Sequence, residues 1–184
     1  MVSALQAKFG DAITGTKEFR GEQTVIVKLD SLKALLQHCR DEFKCDYLVD
    51  ISSLDHEDTD PRFEMVYELY GYEHKNHLRV RSAVAEDETV PTVSDVWATA
   101  NWHEREIWDM MGIKFDGHPD LRRILMWEGY PFHPLRKEFP LAGKPSEMPD
   151  VAFTGIAPLE GGPFVTSPGS ANTVQAEPRA KRFE

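Results

Sequence analysis

The prolines of this 184-residue chain are concentrated beyond residue 115, where ten of its twelve occur. Proline fixes the φ angle and lacks a backbone N–H, so closely spaced prolines exclude long helices and the inner strands of a sheet. The sequence therefore predicts two parts: a regularly folded domain over residues 1–115 and an extended, proline-rich C-terminal arm over residues 116–184.

The predicted arm is nevertheless rich in large apolar side chains, which a free polar tail lacks. Spaced apolar anchors on an irregular segment are typical of a chain that is buried against another protein. We therefore expect the arm to pack on partner proteins. The anchors are Leu121, Ile124, Leu125, Met126, Trp127, Tyr130, Phe132, Leu135, Phe139, Val151, Phe153, Ile156, Phe164 and Val165.

Hydrophobic periodicity predicts an α+β fold for residues 1–115, a two-layer domain with helices packed on a mostly antiparallel sheet. Asp30 or Ser31 is expected to cap the second of three helices, and Gly112 to end the third. The predicted helices cover residues 5–13, 32–44 and 94–111, and the predicted strands cover residues 23–30, 47–55, 62–72 and 77–85. The strands over residues 62–72 and 77–85 alternate apolar and polar side chains, and the last three strands are expected to be antiparallel with one buried face.

Charge and composition restrict the partners of the chain. Its 21 basic and 31 acidic side chains give a net charge of −10, the wrong sign for binding the phosphates of a nucleic acid. No apolar run approaches the ~20 residues that cross a bilayer, so we expect a cytoplasmic chain without direct membrane insertion. Cys39 and Cys45, the two cysteines, are expected on one helix as reduced thiols.

Residues 102–125, "WHEREIWDMMGIKFDGHPDLRRIL", concentrate the side chains that could carry chemistry. The run "HERE" begins like the zinc-protease motif H-E-x-x-H, but Ile107 stands where the second histidine belongs. A metal site assembled by folding stays open as an alternative, and it would make the chain an independent metallohydrolase. The ligands would come from His103, Glu104, His118 and His133.

The same run also has a structural interpretation. Glu104, Glu106 and Asp109 could supply acid and base groups. However, Arg105 lies four residues before Asp109, where the two can pair, and two further arginines follow after a short loop. Charge-assisted hydrogen bonds of this kind would hold the arm on the helix. The phosphate-binding motifs G-x-G-x-x-G and G-x-x-x-x-G-K-[ST] are absent from the sequence, so no catalytic residue is predicted.

Two longer patterns combine these residues: the first places Glu104-Arg105-Glu106, Asp109, His118 and Arg122-Arg123 at fixed spacing, and the second is "HPLRKEFPL" at 133–141. They resemble the signatures of the thirty-kilodalton subunit family of respiratory complex I, the C subunit of NADH:quinone oxidoreductase. Two signatures in register are more specific than any short motif, and the resemblance covers roughly residues 25–145. Glu138-Phe139 stand where the family commonly has Asp-Tyr. The matching residues are Glu104, Arg105, Glu106, Asp109, His118, Arg122 and Arg123 in the first signature, and His133, Pro134, Leu135, Arg136 and Lys137 in the second.

The resemblance implies a non-catalytic structural subunit in the peripheral arm of a proton-translocating NADH:quinone oxidoreductase. FMN, the iron–sulfur clusters, NADH and quinone would be bound by other subunits and none by this chain. The implied partners are the D subunit, of the forty-nine-kilodalton type, and the cluster-bearing B subunit, on the cytoplasmic side of the cell membrane. The signature residues would fix the arm and its contacts without a redox role.

Three alternatives stay open on the sequence. The chain could be the equivalent module of a related membrane-bound hydrogenase or ferredoxin-linked oxidoreductase. It could be the metallohydrolase described above, in which case the purified chain would hold stoichiometric metal. It could also be a free-standing adaptor, which would purify apart from any cluster-containing complex.

Overall fold

The structure, a computed structural model, describes residues 1–140 and the backbone of residues 151–152 and 155–156. The chain divides into two compact units, Met1–Arg136 and Lys137–Glu184. The first unit contains three α-helices and a five-stranded sheet, which confirms the predicted α+β class. It also contains residues 116–136, the first part of the predicted arm. Most of the rest of that arm lies outside the described residues.

Between residues 23 and 85 the helix and strands follow one another in the order that the sequence predicts. The helices are α1 (Val2–Phe9), α2 (Leu29–Phe43) and α3 (Ala100–Met111), and a short 3-10 helix, Gly10–Ala12, follows α1. The strands of the first unit are β1 (Ile13–Phe19), β2 (Glu22–Val27), β3 (Tyr47–Asp55), β4 (Phe63–Gly71), β5 (Asn76–Val84), β6 (Thr89–Pro91) and β7 (Lys114–Asp116). In the second unit, β8 (Val151–Ala152) and β9 (Gly155–Ile156) form an antiparallel pair.

The main sheet has the strand order β1-β2-β5-β4-β3, so β1 and β3 are its edges. Neighbouring strands are antiparallel except β2 and β5, which run parallel. The chain between β2 and β5 contains α2, β3 and β4, and a parallel pair needs a long connection of this kind. The sheet is therefore mixed but mostly antiparallel, as predicted.

One face of the main sheet and the helices share a single hydrophobic core. Alternate side chains of β4 point into it, in agreement with the predicted buried face. Helix α2 contributes the face that its 3.6-residue periodicity predicts, and α1 contributes Leu5. The buried side chains from β4 and α2 are Phe63, Met65, Tyr67 and Leu69, and Leu32, Leu35, Leu36 and Cys39.

The beginning of the sheet differs from the prediction. The predicted helix over residues 5–13 ends earlier, and β1 follows it as an edge strand. Most side chains of β1 are exposed, so the strand lacks the alternation of apolar and polar residues that would identify it. Strands β6 and β7 have three residues each, too few to show a period. Strands β1, β6 and β7 are therefore not predicted from the sequence.

The predicted starts of two helices are wrong. Helix α2 begins at Leu29 after Lys28, without a side-chain cap, so neither Asp30 nor Ser31 is its N-cap. Helix α3 begins at Ala100 instead of near residue 94. The residues before it form turns, in which the N–H groups of Val96 and Trp97 both donate to the Val93 carbonyl. Periodic apolar residues in a set of turns therefore imitate an additional helical turn.

The two cysteines do not share a helix, contrary to the prediction. Helix α2 ends at Phe43, and Lys44 follows in the left-handed conformation, so Cys45 lies beyond the helix. Both thiols are buried and unbridged. Burial raises the pKa of Cys39 and, to about 11, that of Cys45, and a protonated thiol is a poor nucleophile.

Candidate functional site

Helix α3 carries the first four residues of the first signature and packs one face on the core beside β3. Its buried apolar side chains include Ala100, Ile107 and Met110. The helix ends at Gly112, whose φ of 79° lies in the left-handed region that glycine adopts without strain. The predicted stop is confirmed, and the chain then turns into β7, which runs parallel to β6.

Asp109 is a fully buried acid on α3 that binds the returning arm. Its Oδ2 accepts three consecutive backbone N–H groups, from Ile124, Leu125 and Met126, at 3.0, 2.7 and 2.9 Å. Its Oδ1 accepts a charge-assisted bond from Arg123. Burial opposes ionisation, but these four donors outweigh it and lower the pKa of Asp109. The carboxylate is therefore charged and satisfied inside the protein.

Arg123 spreads its guanidinium over several groups of the arm and of α3. It donates to the Asp109 carbonyl at 3.1 Å, to the Phe132 carbonyl at 3.2 Å and to the Tyr130 carbonyl. Its planar group also lies 5.6 Å from the ring centres of both Trp108 and Tyr130. A lysine could not make this set of contacts, because it lacks the planar fork of donors.

Arg105 binds the same stretch of arm from the previous turn of α3. Its Nε and Nη2 donate to the carbonyls of Arg122 and Arg123, each at 3.1 Å, and its guanidinium lies 5.2 Å from the Trp102 ring. The pair predicted from i, i+4 spacing, Arg105 with Asp109, is therefore wrong. Asp109 pairs with Arg123 instead, because the arm brings a better-placed donor to it.

The second signature caps the C-terminal end of α3. The last carbonyls of a helix have no partner within the helix. Here His133 Nδ1 donates to the Asp109 carbonyl at 3.0 Å, the Leu135 N–H to the Met110 carbonyl at 3.0 Å, and Arg136 Nε to the Met111 carbonyl at 2.6 Å. Positive charge near these carbonyls also suits the helix dipole.

The cap leaves no space for a side chain at Gly112. A Cβ on this residue would lie 2.7 Å from Arg136 Nη2 and from the His133 ring. Burial, together with the charges of Arg136 and Arg123, lowers the pKa of His133, so the ring is neutral at neutral pH. We call this assembly of Asp109, Arg123, His133 and Arg136 with the helix end the α3–arm joint.

Glu104 is a second fully buried acid on α3, and it faces the segment after β6. It accepts hydrogen bonds from the Thr92 hydroxyl and, at 2.7 Å, from the Val93 N–H. Burial raises the pKa of Glu104 to about 7, although these two bonds favour the ionised form. Burial and the Glu104 charge together raise the pKa of Tyr67 in the adjacent sheet. Glu104 thus ties α3 to the residues that precede it.

His118 is held in one tautomer by two backbone groups. Its Nδ1 accepts the Asp120 N–H at 3.0 Å, so the ring hydrogen lies on Nε2, which donates to the Asn101 carbonyl at 3.2 Å. The distance from Nε2 to Glu104 Oε2, 3.8 Å, is beyond a hydrogen bond. Both ring nitrogens are therefore used within the protein.

The four residues of the hypothetical metal site are not brought together as a ligand set. His103 lies 3.4 Å from Asp50, at a partly exposed position, and His133 belongs to the α3–arm joint. Within residues 1–140, no group of three or more His, Cys, Asp or Glu side chains could hold a metal ion. The metallohydrolase alternative thus has no ligand cluster in that part of the chain.

The remaining signature residues lie nearer the surface. Glu106 is exposed on α3, and Arg122 is exposed in an ion pair with Asp120 at 2.9 Å. Leu135 directs an exposed side chain to solvent, with 60% of its surface accessible. Pro134 is half-buried, and Lys137, exposed, begins the second unit. The signatures therefore contain an inner group that holds the arm and an outer group that faces outward.

Several groups of the site cannot be identified from the sequence. Thr92 and Val93 bind Glu104 from a segment eleven or twelve residues earlier, and no local pattern marks them. Trp108 and Tyr130 enclose Arg123, and their aromatic character is the one signal that could suggest it. The contacts of Glu104 depend on the path of the chain after β6, and those of Arg123 depend on its path after Gly112.

Comparison with known proteins identifies the family. Residues 25–145 match the family described as the respiratory-chain NADH dehydrogenase 30 kDa subunit, which is more than half of the chain. The chain belongs to this family. The resemblance deduced from the two signatures is confirmed, and the matched range ends near the second of them.

Members of the family from several bacteria are similar over most of the chain. The C subunit of the NADH-quinone oxidoreductase of Geotalea uraniireducens is 46% identical over 147 residues, which cover 79% of this chain and 90% of that protein. The C 2 subunit of the Rhizobium meliloti enzyme is 42% identical over 163 residues, covering 86% and 88%. The chain therefore corresponds to nearly the full length of these relatives.

A solved structure shares the fold at lower sequence identity. It is the structure of an archaeal respiratory membrane complex, the membrane-bound sulfane sulfur reductase. One chain of it superposes with a TM-score of 0.65 at 22% identity, covering 76% of this chain and 84% of that one. Among the described residues of the present chain, none of the helices has the length and apolar character to cross a membrane.

Proposed function

We propose that this chain is a non-catalytic structural subunit in the peripheral arm of a proton-translocating NADH:quinone oxidoreductase. The observation that carries the proposal is the use of the polar signature groups. The described hydrogen bonds of Asp109, Arg123, Arg105 and His118 all go to the backbone of this chain, except the one that joins Asp109 to Arg123. Groups committed in this way position a segment and are not available to a substrate.

The redox chemistry of the complex lies in other subunits under this proposal. FMN, the iron–sulfur clusters, NADH and quinone would be bound there, while this chain contributes a rigid surface. Its partners would include the D subunit, of the forty-nine-kilodalton type, and the cluster-bearing B subunit. The chain would attach peripherally on the cytoplasmic side of the cell membrane. Identities of 39–46% to proteins named as the C subunit of NADH-quinone oxidoreductase support this assignment over a hydrogenase or ferredoxin-linked module.

Affinity purification from membranes in mild detergent tests the proposal. We expect a tagged chain to recover a multi-subunit complex that oxidises NADH with a quinone as acceptor. The purified chain alone should show no such activity, because it would hold no flavin or cluster. Recovery of the monomer alone from an intact membrane extract would contradict the proposal.

A further inference from the structure

Helix α3 binds the first part of the arm mainly through the backbone of the arm. Asp109 accepts the N–H groups of residues 124–126, and Arg105 donates to the carbonyls of residues 122 and 123. An irregular segment usually turns its apolar side chains toward the protein that holds it, because this removes them from water. Here polar backbone groups make the contact instead, which leaves large apolar side chains of the arm at the surface.

Three large apolar side chains of this region are exposed. Trp102 of α3 is 60% accessible, Leu125 is 58% accessible and Trp127 is 39% accessible. Single exposed apolar residues are common on protein surfaces, whereas a group of neighbouring ones marks a site of interaction. The relative position of the three residues therefore determines what they indicate.

The three residues follow one face of α3. Trp102, Arg105 and Asp109 share that face, because they are three and four residues apart. The Arg105 guanidinium lies 5.2 Å from the Trp102 ring, and the Leu125 N–H binds Asp109 one turn further along the helix. About 10 Å of helix axis separates Trp102 from Asp109, and Trp127 follows Leu125 by two residues. We call Trp102, Leu125 and Trp127 the arm patch.

The arm patch adjoins a neutral segment of an acidic protein. Residues 1–115 carry 13 basic and 22 acidic side chains, whereas residues 116–136 carry three of each. The exposed Arg122 beside the patch is paired with the exposed Asp120 at 2.9 Å. The centres of protein interfaces are depleted of charge and rich in tryptophan. An uncharged apolar surface therefore complements the arm patch, whereas a charged surface would lose its hydration there without gaining a partner.

We propose that an uncharged, apolar surface of another subunit of the complex covers the arm patch. Trp102 and Trp127 are the anchors of this contact, since a few buried aromatic side chains carry most of the energy of an interface. Leu125 adds apolar area, and the pair of Arg122 with Asp120 lies at the polar rim. The proposal rests on the proposed function, since the covering subunit belongs to the same oxidoreductase.

The α3–arm joint gains a second role under this proposal. It fixes the backbone of the arm before the partner binds, so Leu125 and Trp127 are already held beside α3. A surface that is ordered in advance loses less conformational entropy on association. The buried charges of the joint therefore prepare an apolar contact that lies outside them.

Hydroxyl-radical footprinting with mass spectrometry tests whether the arm patch is covered. The purified full-length chain is compared with the same chain in the purified oxidoreductase. We expect Trp102 and Trp127 to be oxidised about tenfold more slowly in the complex, because side chains at the centre of an interface lose their contact with water. Trp97, which is 5% accessible, should react slowly in both samples and shows that the isolated chain is folded.

The footprint has two outcomes that would overturn the proposal. One is equal oxidation of Trp102 and Trp127 in the isolated chain and in a complete complex. The other is slow oxidation of both already in the isolated chain, which would mean that a second copy or another part of the same chain covers the patch. A wild-type chain that recovers none of the other subunits would overturn the proposed function as well, whereas a complete complex with both tryptophans reactive overturns the arm patch alone.

Leu125→Glu tests the apolar character of the contact. The substitution keeps the backbone N–H that binds Asp109 and alters an exposed side chain, so we expect an unchanged unfolding midpoint. A charge in the patch should lower the recovery of the other subunits about tenfold, as expected for a residue central to binding. The matched control is Phe19→Glu, on the edge strand β1, which is similarly exposed and should leave recovery unchanged. Equal losses for both variants, or no loss for Leu125→Glu, would overturn the proposal.

Trp127→Ser keeps the proposal testable if Leu125→Glu fails to fold. The Trp127 side chain is exposed, and its carbonyl still accepts the Tyr130 N–H after the substitution. We expect the recovery of the other subunits to fall severalfold while the unfolding midpoint stays the same. Unchanged recovery for this variant would overturn the proposal.

Discussion

The α3–arm joint and the outer face of the main sheet both consist of arginine–carboxylate pairs, but water reaches them differently. At the joint the side chain of Asp109 is 0% accessible and that of Arg123 10%. On the sheet, Glu68 pairs with Arg79 and Glu64 with Arg81, and the arginines are 35% and 24% accessible. Breaking a buried pair leaves a charge away from water, whereas a pair that water partly reaches is screened and contributes less.

The two regions also differ in what their pairs connect. Each pair on the sheet joins β4 to β5, which backbone hydrogen bonds already hold in register. The joint connects α3 to an irregular segment 14 or more residues later in the chain. Among the described backbone hydrogen bonds, that segment makes one to α3, from the Leu135 N–H to the Met110 carbonyl, so the charged side chains supply most of its contacts with the helix. Charge pairs in this protein therefore matter most where they replace secondary structure.

Removing Arg123 should lower the free energy of unfolding more than any other substitution considered, so it is the strongest test of the difference between the two regions. Arg123→Ala leaves Asp109 buried without its cation and frees the Tyr130 and Phe132 carbonyls. We expect the free energy of unfolding to fall by about 3–5 kcal/mol in urea titrations. Arg40→Ala, at an exposed position on α2, should change it by less than about 0.5 kcal/mol. A loss below about 1 kcal/mol for Arg123→Ala would show that burial does not distinguish the two regions.

Glu104 extends the comparison to a buried acid that lacks an arginine. Its pKa, raised to about 7 by burial, lies above that of the unfolded chain, near 4.5, so the folded state binds the extra proton. Stability should therefore fall as pH rises from about 4.5 to 7, by on the order of 3 kcal/mol. Glu104→Gln should remove this decline in urea titrations at several pH values.

Glu106→Gln is the matched control for Glu104, because it alters an exposed acid two residues along the same helix. It should leave the pH profile of stability as in the wild type. Equal profiles for wild type and Glu104→Gln would mean that another group causes the decline. Asp109 has the opposite sign: its pKa is lowered, so its stabilisation is present above the unfolded pKa and is lost as pH falls through the folded value.

The sequence predicts those helices and strands in which apolar side chains repeat at a regular spacing. Strands β4 and β5 alternate apolar and polar side chains, and α2 has an apolar stripe with a 3.6-residue period, so their bounds are close to the predicted ones. β1 escapes prediction, because its side chains are mostly exposed and show no period. The turns before α3 fail in the opposite way, since their apolar residues repeat with a helical period that the backbone does not follow.

The candidate site is predictable in composition but not in pairing. The spacing of Arg105 and Asp109 suggests a pair within α3, and the structure gives each a partner in the arm. The bonds of Glu104 to Thr92 and Val93 depend on where the chain runs after β6. A backbone path that tertiary contacts fix cannot be obtained from residue spacing alone.

Removing one charge from the sheet should cost much less than removing one from the joint. Arg79→Gln leaves Glu68, whose side chain is 16% accessible, with His77 at 2.8 Å. We expect a loss of about 0.2–1 kcal/mol that shrinks further at salt concentrations of about 1 M, because exposed charges are screened. A loss of stability as large as that of Arg123→Ala would show that charge pairs on the sheet and at the joint contribute equally. Urea titrations at two salt concentrations measure both quantities.

Arg122 provides the smallest expected change in stability and separates holding the arm from contacting a partner. It neighbours Arg123, yet its side chain is 61% accessible and pairs with the similarly exposed Asp120. Arg122→Ala should therefore change the free energy of unfolding by less than about 0.5 kcal/mol. Under the proposed function its outward charge contacts another subunit, so the same variant should lower recovery of the complex. Normal recovery with an altered Michaelis constant for quinone would instead assign Arg122 to the chemistry of the complex, and the inner arginine alone would then serve the structure.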